Sequence, residues 1–227
     1  MQSSGHNQQV LYSATTFRQL LDSLARPGKI NSLAYPRFLG DPPSLHSQAT
    51  ATNLVVNFYA LGALLTLLDG EVSFIVAANG QWLPANSPVV QWLALRSDAS
   101  VAKPESAHFA FFCDGRSNGL LRELNIGTLL GPEESATAFY CVEQLASEGD
   151  LDEEYWVTLA LSGPGILSKN IVHIAGLSVD EIEYIDATRQ HYPLGIDVYF
   201  IDALGRCVGL PRTTRMRVSN LIRQARG

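Results

Sequence analysis

Charged side chains are scarce in this sequence. They make up 17% of its 227 residues, whereas about 25% is usual in soluble domains. A chain with so few charges has little polar surface with which to cover itself, so we expect part of it to be buried against a partner. The net charge of −6 and the isoelectric point near 5.3 argue against a general nucleic-acid-binding protein.

Long hydrophobic runs are also missing. The segment 61–68 is the most apolar candidate, but Gly62 and Thr66 interrupt it, and a membrane-spanning helix needs roughly 18 or more apolar residues. The polar segment 1–9 has no apolar centre, so we expect no secretory signal there. These features predict a cytoplasmic protein that does not interact with membranes.

Cysteine and lysine each occur only three times. The spacing of Cys113, Cys141 and Cys207 fits neither a zinc site nor an iron–sulfur ligand set, and we expect three buried thiols in a reducing compartment. A pyridoxal phosphate enzyme needs a lysine for its Schiff base, but none of the three lysines stands in a recognisable cofactor setting. We therefore expect no cofactor, and a residual pyridoxal phosphate protein is kept as a third hypothesis.

Helix and strand signals alternate along the chain. Two pairs, Thr16 with Gln19 and Ser178 with Glu181, have the spacing of helix capping boxes. The predicted helices begin at 16, 49, 87 and 178, and the second of them, over 49–68, is apolar on several sides. The predicted strands are 72–77, 108–113, 138–145, 156–161 and 173–177, followed by a hairpin of 195–201 and 206–210.

This order predicts a three-layer α/β/α domain with a mixed sheet, in which the terminal hairpin supplies the antiparallel part. Because no linker divides the chain, we expect a single domain over 13–218. A flexible N-terminal tail would precede it over 1–12, and a basic C-terminal tail would follow over 219–227. The segment 146–154 carries five acidic residues and no basic one, and predicts a solvated loop.

Two groups of residues are candidates for binding an anion. In the loop after the fourth predicted strand, the backbone amides around Gly163 and Gly165 could hold a phosphate, or the glycines could simply permit a turn. Further on, a guanidinium stands beside two hydroxyls at Arg212, Thr213 and Thr214. That group could bind an anion, or the arginine could tie down the chain or pair with an acid across an interface.

Asp197 lies within an apolar segment that predicts a strand, so burial of its carboxylate would require a partner or a raised pKa. It is either a structural acid or a site residue. Five arginines lie between Arg212 and Arg226 with no acid among them. They could meet an anionic ligand or an acidic partner, or form a solvated basic tail. The residues alone provide no convincing catalytic set.

Several motifs resemble those of the PhnH family of phosphonate metabolism, whose members are subunits of the bacterial carbon–phosphorus lyase system. The resemblance covers about 13–218, and its most specific part is the pair of motifs 193–197 (Pro-Leu-Gly-Ile-Asp) and 211–214 (Pro-Arg-Thr-Thr). The other matching motifs are Phe17-Arg18-x-Leu20-Leu21 with Pro27-Gly28, then Gly127-Thr128, Pro132-Glu133 and Ala136-Thr137, and the loop 161–166, which has serine where the family has threonine.

The resemblance implies a fold like the large domain of pyridoxal-phosphate-dependent transferases, but without the cofactor. It also implies a homodimer that joins other subunits of the lyase core. With those subunits, the family supports transfer of a phosphonate onto the ribose C1 of ATP, which yields a ribose 1-phosphonate 5-triphosphate. It supplies no catalytic residue that can be carried over to this sequence.

Our leading hypothesis is therefore a non-catalytic accessory subunit of the carbon–phosphorus lyase complex. The alternative is a phosphate- or phosphonate-binding enzyme subunit with its site near Arg212, Thr213 and Thr214. We expect a dimer in either case, with the apolar segment 49–68 as its contact.

Overall fold

The computed structural model describes residues 2–41, 43–45, 54–147 and 155–223. Its α-helices are α1 (Gln2–Ala25), α2 (Phe58–Leu65), α3 (Pro88–Ser97) and α4 (Val179–Ala187). Its strands are β1 (Asn31–Ser32), β2 (Ser44–Leu45), β3 (Leu54–Val55), β4 (Ser73–Ala78), β5 (Gln81–Trp82), β6 (Ser100–Val101), β7 (Phe109–Phe112), β8 (Thr137–Val142), β9 (Gln144–Ala146), β10 (Tyr155–Ser162), β11 (Asn170–Ala175), β12 (Asp197–Asp202), β13 (Arg206–Leu210) and β14 (Arg215–Arg223).

The larger sheet is mixed, as predicted. Its strand order is β1-β13-β12-β8-β7-β4-β5, and β6 also pairs with β4. The central pairs β12–β8, β8–β7 and β7–β4 are parallel, whereas β13, β1 and β5 are joined antiparallel at the two sides. The predicted terminal hairpin is confirmed as β12 and β13. A separate sheet, with the order β14-β10-β11-β9, is antiparallel throughout.

The two faces of the larger sheet have different covers. On one face, buried side chains of α1, α2 and α3, such as Leu20 and Leu61, pack against sheet residues such as Phe74. On the other face, Tyr140 and its neighbours pack against the second sheet and Ile185 of α4. The apolar alternation of the strands therefore buries both faces of the larger sheet, as a largely parallel sheet requires.

The first two helices differ from the predicted ones. Helix α1 begins at Gln2 rather than at Thr16, so most of the predicted flexible tail lies in a helix, and Thr16 is buried in its middle. Helix α2 covers only Phe58–Leu65 of the predicted segment 49–68; residues 46–53 lie outside the described residues. It starts late because the side chain of Asn57 caps it by accepting from the N–H of Ala60.

The other two helix starts are confirmed. Helix α3 begins at Pro88, directly after Ser87, in the expected arrangement of cap and first-turn proline. In α4, the hydroxyl of Ser178 accepts from the N–H of Glu181 at 3.3 Å, but the helix ends at Ala187 instead of near His191. The Glu181 carboxylate does not complete the capping box, because it faces the loop at Ser117 instead.

Two predicted boundaries were wrong. The single strand expected over 138–145 is two strands, since β8 belongs to the larger sheet and β9 to the smaller one. Residues 219–223, predicted as tail, continue β14 along β10, while residues 224–227 lie outside the described part of the chain, as does the acidic segment from 148 onward.

Among the described residues, none of the helices has the length and apolar character needed to cross a bilayer.

Candidate functional site

The terminal motif pair forms an ion pair at the base of the β12–β13 hairpin. Nη2 of Arg212 lies 3.1 Å from Oδ2 of Asp197, and the backbone N–H of Arg212 donates to Oδ1 at 2.7 Å. The strands bring these residues together because Val198 lies opposite Leu210 in the antiparallel register. Both side chains are largely buried, with 17% and 20% of their surface exposed. Asp197 therefore makes the contacts expected of a structural acid, since its carboxylate accepts a hydrogen bond from a backbone amide.

The remaining donors of Arg212 reach two other segments. Nη1 donates to the carbonyl of Pro132 at 2.5 Å and to that of Pro193 at 3.4 Å. One guanidinium thus joins the start of β12, the loop before β8 and the loop after α4. Because it already has a carboxylate and two carbonyl partners, few of its N–H groups point toward an added anion.

Of the two neighbouring hydroxyl residues, only Thr213 faces open space. It lines a shallow cavity of about 350 Å³ together with Glu133, Tyr192, Asp197 and Arg212. Thr214 is 3% exposed and closes a turn in which its N–H donates to the carbonyl of Pro211 at 2.8 Å. The cavity combines one arginine with two carboxylates, so its formal charge is negative.

The two glycines of the loop after β10 contact different parts of the chain. At Gly163, with φ of 133°, an added Cβ would lie 2.9 Å from the carbonyl oxygen of Thr213. At Gly165, with φ of 79°, an added Cβ would overlap the carbonyl oxygen of Ala25 at the end of α1. Positive φ and close backbone contact both favour glycine. The structure therefore places Gly163 beside the Arg212 turn and Gly165 against α1.

A second arginine, which the sequence analysis did not select, supports the same region. Arg189 donates through Nη2 to the carbonyls of Ile196 at 2.9 Å and Leu210 at 2.8 Å. Burial lowers the pKa of Arg189 to about 10, and the charge of Asp197 acts in the opposite direction, so the guanidinium stays protonated at neutral pH. Arg189 holds the two strand ends that carry Asp197 and Arg212.

A larger cleft lies elsewhere, at the carboxyl ends of the parallel strands. It has a volume of about 590 Å³ and lies where β4, β7 and β8 end. Ligands of open α/β sheets bind at this edge. The lining residues that the structure describes are Tyr35, Val56, Asn57, Phe58, Tyr59, Asn79, Cys113, Asp114, Gly115, Arg116, Cys141, Val142, Glu143, Gly176 and Ala203.

The polar groups of this cleft are partly used by the fold itself. Asp114 accepts from the N–H groups of Asn79 at 2.8 Å and Arg116 at 3.1 Å. The amide of Asn57 donates to the carbonyls of Ile201 and Asp202. The described lining residues include no lysine, so they offer no Schiff-base partner to pyridoxal phosphate. Turn residues that follow the strands in the sequence, such as Asp114-Gly115, indicate where this edge lies. They occur at ordinary turns as well, so they do not identify a cleft.

The three cysteines are free and buried, as predicted. Cys113 and Cys141 directly follow the register pair Phe112–Tyr140 on neighbouring parallel strands, and both line the cleft. Burial raises the pKa of both thiols well above the usual value, so they are protonated at neutral pH. Across the described ranges, no three His, Cys, Asp or Glu side chains are grouped in a way that could hold a metal ion.

Glu181 is a buried carboxylate that the sequence analysis assigned to a helix cap. Its Oε1 accepts from the N–H and hydroxyl of Ser117 and from the N–H of Asn118, and its Oε2 accepts from the hydroxyl of Tyr140. Burial, then the charge of Glu181, raises the pKa of Tyr140 well above its usual value. The carboxylate thus anchors the loop after β7 to the core.

Comparison with known sequences identifies the family. Residues 4–217 match the sequence model of the family described as bacterial phosphonate metabolism protein (PhnH). The chain belongs to the PhnH family. The resemblance noted in the sequence is therefore confirmed over nearly the whole chain.

Two curated relatives of this PhnH-family chain carry functional names. One, from Rhizobium meliloti (strain 1021), is named alpha-D-ribose 1-methylphosphonate 5-triphosphate synthase subunit PhnH; it is 28% identical over 211 residues, which cover 91% of each chain. The other, from Stutzerimonas stutzeri, is named as a C-P lyase subunit protein, HtxG; it is 27% identical over 205 residues, 90% of this chain and 85% of the relative. Both names describe subunits.

Proposed function

We propose that this PhnH-family chain is an accessory, structural subunit of a carbon–phosphorus lyase complex in organic phosphonate catabolism. In this role it supports formation of ribose 1-phosphonate 5-triphosphate from ATP and a phosphonate, without supplying the reactive groups. The names of both relatives, a triphosphate synthase subunit and a C-P lyase subunit, support the assignment to such a complex.

The observation that best supports the accessory role is the set of hydrogen bonds that Arg212 makes within the chain. This side chain is the strongest anion-binding candidate of the sequence, yet its donors are directed to Asp197 and to the carbonyls of Pro132 and Pro193. Asp114 and Glu181 are likewise engaged with backbone N–H groups. These three side chains, each of a type that could take part in chemistry, hold the fold together instead.

A second candidate is a phosphate- or phosphonate-binding subunit with its site near Arg212, Thr213 and Thr214. The open cavity beside Thr213 favours it. The charges oppose it, because Asp197 and Glu133 share that cavity with the single arginine and would repel a phosphonate dianion.

The finer fold assignment is also a proposal. We infer a relationship to the large domain of pyridoxal-phosphate-dependent transferases, with loss of the cofactor. The parallel centre of the mixed sheet and the three helices on one face support it. The four-stranded sheet on the other face is a departure from a simple α/β/α arrangement.

The proposed assembly has two levels. The chain forms a homodimer in the cytoplasm, and this dimer binds the other subunits of the lyase core. The three buried, free thiols are compatible with a reducing compartment. The described part of the segment expected to form the dimer contact is unsuitable, since Ala60, Leu61 and Ala63 of α2 are fully buried within the chain.

The test is co-expression of the tagged chain with the other lyase subunits, followed by a triphosphate synthase assay with and without it. We expect co-purification, and synthase activity that rises when the chain is added to the remaining subunits. The isolated chain should convert no phosphonate. Failure to co-purify with any subunit contradicts the accessory role, and turnover by the isolated chain contradicts its non-catalytic nature.

The two candidates are separated by Arg212→Lys, which keeps the charge but loses the forked geometry. If phosphonate binding by the assembled complex weakens at least tenfold while assembly is intact, the binding role is supported. If assembly or stability falls and binding by the remaining complex is unchanged, the structural role is supported. Arg217→Lys, at an exposed position on β14, is the matched control.

A further inference from the structure

Helix α1 presents apolar side chains on two opposite sides. Its inward side includes Leu20, 1% exposed, which packs in the core beneath the larger sheet. On the outward side, Val10, Phe17 and Leu21 are 55%, 49% and 58% exposed, and Ala14 is exposed between them. A surface helix normally presents polar residues on its outer side. The outer residues Val10, Ala14, Phe17 and Leu21 are called the outer stripe below.

The spacing of the outer stripe is that of a helix–helix seam. Positions 10, 14, 17 and 21 follow one another at intervals of four, three and four residues, the pattern in which apolar side chains of one helix fill the gaps of a second. Helix α1 spans Gln2–Ala25, about 36 Å at 1.5 Å per residue. It is therefore long enough for the whole stripe to contact a second helix.

The outer stripe also lacks the charges that would keep an exposed helix in water. Arg18 and Asp22 are the charged residues among the 24 of α1. Asp22 is already paired within the chain, with Arg26 and with Lys29, the latter at 2.7 Å. A nearly neutral, apolar stripe favours a partner surface of the same character over a strongly charged one.

We propose that the outer stripe is the homodimer interface, and that it pairs with α1 of a second copy in antiparallel orientation. The inference rests on the proposed function, of which the homodimer is a part, and it names the surface that forms the dimer. A twofold axis between Ala14 and Phe17 makes such an interface isologous, with the same patch on both chains.

Side-chain sizes favour this orientation and this partner. In the antiparallel pair, Phe17 lies against Ala14 of the other copy, and Val10 lies against Leu21, so each large side chain meets a smaller one. In a parallel pair, Phe17 would meet Phe17 and Ala14 would meet Ala14, which leaves one layer overfilled and the next underfilled. Good packing requires complementary volumes in each layer. The stripe is thus complementary to its own reversed copy.

The first test is the mass of the isolated protein by sedimentation equilibrium at micromolar concentration. We expect a dimer of the 24.7 kDa chain, and we expect Phe17→Glu and Leu21→Glu to weaken its association at least a hundredfold. The matched control is Leu95→Glu, because Leu95 is 82% exposed on α3 and should leave the dimer intact. Circular dichroism verifies that each variant is folded.

A monomeric wild-type chain, or a dimer that both α1 variants leave unchanged, overturns the proposal. If the isolated chain is a monomer and Phe17→Glu instead abolishes co-purification with a sister subunit, the stripe binds that subunit and the second-copy assignment is wrong. Co-purification and synthase assays report on the accessory role separately, so the failure of one does not imply the failure of the other.

The second test establishes the orientation by disulfide cross-linking. Ala14→Cys protein mixed with Phe17→Cys protein should form a cross-linked dimer under mild oxidation, whereas each variant alone should cross-link at least tenfold less. The native cysteines are buried, so they give little background. Efficient self-linking of the Ala14→Cys protein contradicts the antiparallel pair.

Discussion

The carboxylate of Asp197 accepts hydrogen bonds from both the backbone and the guanidinium of Arg212. The backbone N–H lies 2.7 Å from Oδ1, and Nη2 lies 3.1 Å from Oδ2. The two residues belong to the two motifs that most strongly indicated the PhnH family in the sequence. These motifs, separate along the chain, therefore bind each other at one end of the larger sheet.

We expect Arg212→Ala to lower the free energy of unfolding by about 2–3 kcal/mol, because it leaves a largely buried carboxylate and two carbonyls without their donor. Urea denaturation measures this loss. The control Arg217→Ala removes an exposed arginine and should change stability by less than about 0.5 kcal/mol. An Arg212→Ala protein as stable as wild type would show that the ion pair does not hold the hairpin.

The local parts of the fold could be predicted from the sequence. The hairpin of β12 and β13 was predicted correctly because the turn Asp202-Ala203-Leu204-Gly205 separates two apolar runs. The start of α3 at Ser87-Pro88 was predicted for a similar reason, since cap and proline signals act within a few residues.

Assignments that depend on distant contacts could not be predicted. The run 138–145 is continuous in sequence, but β8 and β9 pair with different partners, β12 and β11 respectively. The early start of α1 has no apolar periodicity in residues 2–9 to signal it. Likewise, the sequence left open whether Arg212 ties down the chain or pairs with an acid across an interface, whereas the register of β12 and β13 places it beside Asp197 of the same chain.

The role of Glu181 illustrates a local signal overruled by tertiary structure. Its spacing from Ser178 fits a capping box, and the serine does cap α4. The carboxylate nevertheless binds Ser117, Asn118 and Tyr140, which come from elements far away in the chain. The cleft at the strand ends was missed for the same reason, since its walls come from several loops that are brought together only by the sheet.

Replacement of Glu181 by alanine should be among the most damaging single changes. Glu181 is 1% exposed, and its loss leaves the Ser117 and Asn118 N–H groups and the Tyr140 hydroxyl without their acceptor, at a cost of about 3 kcal/mol or more. Urea denaturation again measures the effect. The control is Glu183→Ala, two residues along the same helix at an exposed position, which should be nearly neutral. Equal effects of the two substitutions would contradict an anchoring role.

Substitution of Gly165 by alanine should lower stability by about 1–3 kcal/mol. The residue has φ of 79°, and its new Cβ would overlap the carbonyl oxygen of Ala25, so strain and steric conflict add together. Gly70→Ala is the control, since a Cβ there would meet no described atom within 4 Å. Thermal unfolding compares the two. A Gly165→Ala protein with the melting temperature of the Gly70→Ala protein would mean that the loop moves freely from α1.

Stability should fall as the pH rises above about 8.5, where thiols of an unfolded chain begin to ionise. Burial raises the pKa of Cys207 to about 12, and it also raises the pKa values of Cys113 and Cys141 well above the usual value. A raised pKa means that the folded protein keeps protons that the unfolded chain has lost. The stabilisation is therefore complete below pH 8.5 and declines above it, by up to about 1.4 kcal/mol per pH unit for each thiol.

Urea denaturation at pH 7.5, 8.5 and 9.5 measures the slope, and Cys207→Ala should reduce it by about a third. A stability that stays constant between pH 7.5 and 9.5 would mean that the thiols reach solvent in the folded protein.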